Sequence, residues 1–584
     1  MLIAQTLSTL TVSLCLLIDN IVIGRFLGVK ALAAYGMANP VLLILAAVAS
    51  MLSAGVQVSC SKSLGRGLQE ECNEAYSSSI GITALISIPF MILVFFLRDP
   101  IATMLGAGAD PELFADTSQY IAGFIIGAPA SMAALILVPF LQIAGQSTLL
   151  VIAVAGMTVA DIALDLLNVY VFHGGMFGMG LASSISYYVG CLVGIIYFVS
   201  KKSVFKFSFK RIKAKKMGEL FKGGLPSIFN LATIVVLVFV LNNLLLNVSG
   251  DNAVAAFSVI QTLGNASNCI TTGIGGVTLT MVGIMFQEED RGGLRKVINQ
   301  LYRYAVILGI VVGGLLIGFA PLLVRLFIPE AGASQDMAIQ GIRMFALGLV
   351  PSCFCGALRN AYQAIGHPVY TEVISLFEGA GFPILVAWIL SFPFKATGVW
   401  YYFLAGEVLT LLGIFIFCWI QNREIPFKNM GMLLLGKDFS VPAEETFEAT
   451  VTQLEDAIAV SEKVGEFCLS RGASSKVANR IAVCVEEMST NTVEHGFTKD
   501  KKKNHSQSVL VLHKKDKWIV RFRDDCTAFD PIHYVPKTSN KDCLGIRLVL
   551  AIADDVKYTY SLNLNNLAIT IHESELENAE PITA

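Results

Sequence analysis

Charge is scarce in this chain. Asp, Glu, Lys and Arg make up 15% of its 584 residues, against about 25% in an ordinary soluble protein, so much of it is not built to face water. No Gly-x-x-x-x-Gly-Lys-[Ser/Thr] phosphate loop occurs, which argues against a Walker-type ATP-driven motor. The twelve cysteines are scattered without metal-ligand spacing, and most fall in apolar runs, where a thiol packs as a small hydrophobe. Cys353 and Cys355, two apart in one such run, read as packing rather than redox partners. No cleavable signal pattern is evident at the start, which lies almost inside the first apolar stretch. The net charge of −2 names no partner, and nothing calls for nucleic acid.

Apolar residues are abundant: 54% of the chain is hydrophobic and the mean hydropathy is +0.66. A membrane-spanning helix needs about 20 apolar residues. The pattern predicts about twelve spans, at 2–24, 33–58, 77–97, 119–143, 148–172, 180–200, 224–248, 253–286, 299–320, 338–365, 369–391 and 397–420. Lys and Arg resist translocation, so the loops that hold them face the cytoplasm. They crowd into 201–216 and 291–303, whereas 173–180 has none. Both termini are therefore expected inside a cytoplasmic membrane. The 201–216 cluster also suits contact with lipid headgroups of the bilayer.

The two halves repeat. Gly28, Ala31, Ala34 and Tyr35 are answered by Gly250, Ala253, Ala256 and Phe257; Phe124, Gly127, Gln142 and Gly145 by Phe345, Gly348, Gln363 and Gly366. With six spans per half, the copies share one orientation. Parallel repeats around a central site are a transporter architecture that works by rocking its halves, although a channel or receptor could be built from repeats too. The expected units are a first repeat (1–200), a basic linker (201–222), a second repeat (223–420), a linker (421–440), a soluble domain (441–575) and an acidic tail (576–584).

Ionisable residues inside spans are costly and are functional candidates by default. Asp161 and Asp165 share one helix face, four residues apart, and Asn168 extends it. At about 1.5 Å rise per residue, Asp19 lies roughly 9 Å and Asp165 roughly 10 Å inside the outer ends of their spans. The three aspartates can converge, as a proton site or a sodium site; helix–helix hydrogen bonding is the structural alternative. The second half has different acids. Glu378 and Glu407, with Asn242 and Gln261, would favour a cationic substrate, unless a glutamate is paired with a residue such as Arg359.

Asp19-x-x-x-x-Gly24-Arg25-x-x-Gly28 resembles the MATE family of multidrug and toxic-compound efflux antiporters. Asp161-Ile-Ala-Leu-Asp165, followed by the glycine-rich turn Gly174–Gly180, is similar to that family's Asn-x-x-x-Asp, with aspartate replacing the asparagine. The resemblance covers about residues 1–420. It implies export of organic, often cationic, compounds in exchange for protons or sodium.

Beyond Ile420 the composition changes to that of a soluble α+β domain. Strands are expected at 447–452, 509–513, 518–523, 556–560 and 568–571, and helices at 454–469 and 475–495. Glu487, Asn491 and His495 share one face of the second helix. Their spacing resembles the N-box of GHKL ATPases, most closely the anti-sigma-factor serine kinases. Arg523–Pro531 and Leu544–Val549 look like that family's adenine-side and phosphate-side boxes. The resemblance implies a Bergerat-type sandwich that binds ATP and Mg2+. In it Asn491 holds the metal, Glu487 is the general base and Asp524 receives the adenine amino group. His495, Ala528 and Gly545 complete the nucleotide site. Cys526 and Cys543 stand where the family usually has glycine, and a Cβ at either could narrow the pocket. An inert domain remains the alternative. The whole reads as an antiporter with a cytoplasmic regulatory or serine/threonine-kinase-like domain that could engage a regulatory protein. Its rivals are a membrane sensor kinase and a flippase for lipid-linked precursors.

Overall fold

The computed structural model describes residues 2–200, 203–328, 332–426, 428–436, 439–499, 504–534 and 544–573. In hydrocarbon every backbone N–H and C=O must be satisfied within its own segment, so the apolar runs form helices. The first half holds α1 (Leu2–Val22), α2 (Val29–Gly65), α3 (Gln69–Phe96), the short α4 (Arg98–Met104), α5 (Pro111–Ile125), α6 (Ala128–Ile143), α7 (Ser147–Leu167) and α8 (Gly175–Val199). The second holds α9 (Ala214–Ser249), α10 (Asp251–Ser267), α11 (Cys269–Gln287), α12 (Arg291–Phe327), α13 (Ala333–Ile365), α14 (Pro368–Leu376), α15 (Phe382–Trp400) and α16 (Tyr402–Asn422). Among the described residues 10 helices are long and apolar enough to span a membrane, or 11 if α5 and α6, bent by 50°, count as one broken span. The 21-residue α1 precedes them.

The two lobes meet closely in the half of the bundle nearest the C-terminal domain. There α2 packs on α9 and α11. A side chain on Gly55 would collide with the backbone of Leu220, and one on Gly224 with that of Met51. At the same end Arg66 Nε donates to Gln287 Oε1 across the lobes at 2.9 Å.

Both expected linkers differ from the sequence reading. Helix α9 begins at Ala214, inside the stretch expected to be a basic linker. The chain before it is pinned to α3: Arg211 pairs with Glu70 at 3.0 Å, Lys213 pairs with Glu74, and Phe205 is buried against Tyr76 and Phe140. The segment after α16 is packed as well. Tyr362 Oη donates to Met432 O at 2.5 Å, and Phe439 stacks on Phe286 with ring centroids 5.0 Å apart.

The C-terminal domain contains β1 (Thr446–Val451), α17 (Leu454–Ser470), α18 (Ser475–Asn491), the single turn α19 (Phe497–Lys499), β2 (Gln507–Lys514), β3 (Lys517–Asp524), α20 (Leu544–Ile552), β4 (Asp555–Ser561) and β5 (Leu564–His572). All neighbouring strands are antiparallel, in the order β1-β2-β3-β5-β4. Side chains alternate across a sheet, and β3 shows the result. Trp518, Val520 and Phe522 share a core with Val464, Ile481 and Val549 of the helices, while Lys517, Arg521 and Arg523 project from the opposite face.

That opposite face docks on the membrane part and touches both lobes. On the first, the β4–β5 turn bears on the chain after α6: Leu562 N donates to Ile143 O at 2.6 Å and Asn563 Nδ2 to Gly145 O at 2.9 Å. Leu562 and Asn563 take φ of 56° and 60°, the left-handed pair that a tight hairpin requires. On the second lobe, Arg523 pairs with Asp290 at 3.0 Å and with Glu288, and Asn566 Nδ2 donates to Glu288 Oε1 at 2.6 Å.

Candidate functional site

The first-lobe acids come together. Asp19, Asp161 and Asp165 are all buried, brought face to face by the packing of α1 on α7. Side-chain oxygens of Asp19, Asp161 and Cys15 Sγ lie within 4.8 Å of one another. Cys15 Sγ donates to Asp161 Oδ2 at 2.8 Å. Among the described residues, Asp19 Oδ1, Asp161 Oδ1 and both oxygens of Asp165 are buried without a hydrogen-bond partner. Oxygen-rich and short of donors, this site suits protons or one small hard cation. Cys15 was not among the expected residues, yet it precedes Asp19 by four positions and so shares its helix face.

Asn168 belongs elsewhere. Its Nδ2 donates to Gly175 O and its Oδ1 accepts from Gly174 N, both at 3.0 Å. The amide fixes the glycine-rich turn after a π-helical segment, Asn168–Phe172, instead of joining the carboxylates. That corrects its expected role in cation coupling.

The second lobe encloses a cavity of about 270 Å³ lined by Gln261, Glu378 and Glu407 together with Asn230, Thr271 and Tyr402. Asn242, expected there, is not among the lining residues. Glu378 is not a free acid: Arg359 Nη1 donates to its Oε2 at 2.6 Å, and both side chains are largely buried. A buried guanidinium needs a carboxylate partner, and Glu378 supplies it. Glu407 differs, because its Oε2 is buried without a hydrogen-bond partner. Of the two acids it is the one outside the Arg359 ion pair.

The C-terminal domain has its own cavity, of about 390 Å³, between α18 and the sheet. Asn491, His495, Asp524 and Ala528 line it, with aromatic walls from Phe529 and Tyr534. Asp524 is held in place by Asn565 Nδ2, which donates to its Oδ1 at 2.7 Å, and by Cys526 N at 3.1 Å. Burial pushes its carboxyl above the usual range, against these hydrogen bonds. Asn491 Nδ2 donates to the Glu487 carbonyl at 2.7 Å. Cys526 is buried in the cavity wall, against Gly496, and leaves the cavity open. Cys543 lies outside the described residues.

Glu487 and Gly545 stand outside the cavity lining. They pack on each other so closely that any side chain at 545 would strike the Glu487 carboxylate. This placement does not present Glu487 as a general base to a ligand in the cavity. Gly545 makes room for that acid and does not line the pocket. The cavity combines aromatic walls, a fixed carboxylate and an amide on one helix face.

Comparison with known proteins bears on the membrane part. The curated relatives it resembles include the multidrug export protein MepA of Staphylococcus saprophyticus, 23% identical over 417 residues, covering 69% of this chain and 89% of that protein. MepA of Staphylococcus aureus is 23% identical over 397 residues, covering 67% and 86%. Among solved structures, a MATE protein in complex with MaL6 superposes with a TM-score of 0.67 at 19% identity, over 74% of this chain and 96% of its own. A MOP superfamily transporter from Pyrococcus furiosus gives 0.66 at 20% identity, over 72% and 94%; both share the fold. The MatE family model matches residues 5–167 and 226–389, the two repeats in turn. This chain therefore belongs to the MatE family of multi-pass membrane transporters.

Proposed function

We propose that the protein is a cytoplasmic-membrane antiporter that exports organic cations in exchange for protons or sodium. The observation that carries this reading is the set of unpartnered oxygens on Asp19, Asp161 and Asp165. Three such acids cannot all remain charged, dry and unpaired in one site. They must share protons or a monovalent cation, which is what ion coupling requires. Glu407 adds a buried carboxylate oxygen without a hydrogen-bond partner in the other lobe, suited to a cationic substrate, and the named relatives export multiple drugs. The Arg359–Glu378 pair leaves the cavity without a free guanidinium, which disfavours a flippase for anionic lipid-linked precursors. The distribution of Lys and Arg supports cytoplasmic placement of both termini and of the C-terminal domain.

The C-terminal domain is, in this reading, a GHKL-type module that binds Mg2+–ATP and regulates the transporter. Asn491 would help hold the metal and Asp524 the adenine edge, with the remaining metal ligands coming from phosphates and water. Bound there, the nucleotide would supply a phosphate chain as the metal's other anchor. Phosphoryl transfer to a partner protein would require Glu487 to enter the cavity, so binding is the part proposed.

The deciding experiment is uptake and efflux of a cationic dye in proteoliposomes under imposed proton or sodium gradients. Gradient-dependent flux supports the antiporter. Absence of flux under both gradients, with phosphorylation of an added partner, would instead make the protein a membrane sensor kinase.

A further inference from the structure

The docked face of the sheet does not close completely on the membrane part. Between them is a cleft of about 490 Å³. Three parts of the chain wall it: Arg66 and its neighbours after α2 of the first lobe, Gln287–Glu289 after α11 of the second, and the outer face of β3, β4 and β5. It lies across the sheet from the nucleotide cavity and shares no lining residue with it.

The cleft is basic. Arg66, Lys514, Lys517, Arg521 and Lys557 line it, against the acids Glu288, Glu289 and Asp555. Lys514 pairs with Glu289, and Lys557 with Asp555 at 3.3 Å. Among the described residues Arg66 Nε donates to the neutral Gln287 Oε1 and has no ion-pair partner. Among the described residues Lys517 has no ion-pair partner.

Arg521 is the telling residue. It is only 9% exposed, and among the described residues its Nε and Nη1 have no hydrogen-bond partner. The nearest carboxylate, Glu288 Oε2, stands 3.8 Å from Nη1. That acid is already engaged by Arg523 and by Asn566. Burial depresses the basicity of the Arg521 guanidinium, despite the acids around it. A buried guanidinium with unused donors is costly, and its planar fork matches the oxygens of a phosphate.

We propose that this cleft is a binding site for a phosphate-bearing anion, held by Arg521 with Lys517 and Arg66. Because both lobes and the sheet contribute to the site, the anion binds the docked arrangement and not the separated parts. Its occupancy therefore strengthens docking by mass action. The ligand is either a soluble polyphosphate or the headgroup of an anionic lipid, since the cleft lies at the membrane-facing side of the domain.

The test uses the full-length protein in phosphatidylcholine nanodiscs, titrated with inorganic pyrophosphate by calorimetry. A parallel arm reads retention of phosphatidylglycerol by native mass spectrometry. Wild type is expected to bind one of the two probes, more weakly as salt rises. Arg521→Gln and Lys517→Gln should each weaken it at least tenfold, while Lys463→Gln, an exposed lysine outside both cavities, should leave it unchanged. Lys517 is half-exposed, so its variant keeps the test valid if Arg521→Gln fails to fold. Pyrophosphate binding assigns the site to a soluble anion, and selective phosphatidylglycerol retention assigns it to lipid. Absence of both, or binding that ignores Lys517 and Arg521, overturns the proposal.

Discussion

Arg523 reaches across the boundary between the two parts of the molecule and meets Asp290 at 3.0 Å, Nη1 to Oδ2. The next residue on β3, Asp524, points the other way, into the wall of the domain's own cavity. One strand thus has a transporter contact and a pocket carboxylate on consecutive residues.

Arg523→Glu is expected to release the domain. Truncating one partner of a buried, hydrogen-bonded charge pair at an interface costs about 2–5 kcal/mol, and reversal adds repulsion from Glu288. Limited proteolysis in the 421–440 segment should become faster, because that segment is held by packing at the same end. Pairing the change with Asp290→Arg should restore part of the protection. If neither variant alters cleavage, the ion pair does not hold the domain.

Asp19→Asn and Asp165→Asn should each abolish gradient-driven transport with folding intact. Both acids are buried with unpartnered oxygens, and an amide can neither release a proton nor neutralise a cation. Flux in proteoliposomes should fall to the protein-free level while size-exclusion profiles stay unchanged. Wild-type flux in either variant would remove that acid from coupling.

The two glutamates of the second lobe should behave differently. Glu407→Gln is expected to weaken binding of monovalent organic cations roughly tenfold, about 1.4 kcal/mol, without loss of fold. Glu378→Gln strands a buried arginine, which costs about 3–5 kcal/mol, so it should lower the melting temperature far more than it alters cation affinity. The double change Glu378→Gln, Arg359→Met should recover much of the stability. Equal effects on binding from both single variants would contradict this division of roles.

The contrast between those glutamates shows where the sequence stops informing. Asp161 and Asp165 are legible because local helix geometry alone puts residues four apart on one face. So are the C-terminal strands: the alternation in Lys517–Asp524 separates an apolar face from a charged one before any coordinate is seen. The sequence leaves the pairing of Glu378 with Arg359 as one alternative, because the two lie on different helices and no local period decides whether they meet. The docking of Arg523 on Glu288 and Asp290 likewise joins a strand and a loop far apart in the chain. Asn168 was misplaced for a different reason. Its position extends the aspartate face on an ideal helix, but the π-helical turn that begins there carries the backbone of Gly174 and Gly175 within reach of its amide.

The nucleotide reading gives a set of variants with distinct outcomes. Asn491→Ala should remove the magnesium-dependent part of ATP binding to the full-length protein, because magnesium takes few protein ligands and one amide oxygen weighs heavily. Asp524→Ala should reduce discrimination between ATP and GTP if its carboxylate, fixed by Asn565 and the Cys526 amide, accepts from an adenine amino group. Glu487→Ala should leave binding unchanged, as that side chain packs on Gly545 outside the cavity. Cys526→Gly should tighten binding only modestly, because the cavity is already open with the thiol in place. Calorimetry with Mg2+–ATP measures all four. If wild type and Cys526→Gly both give no heat at millimolar nucleotide, the cavity does not serve ATP, and the domain acts through its docked face alone.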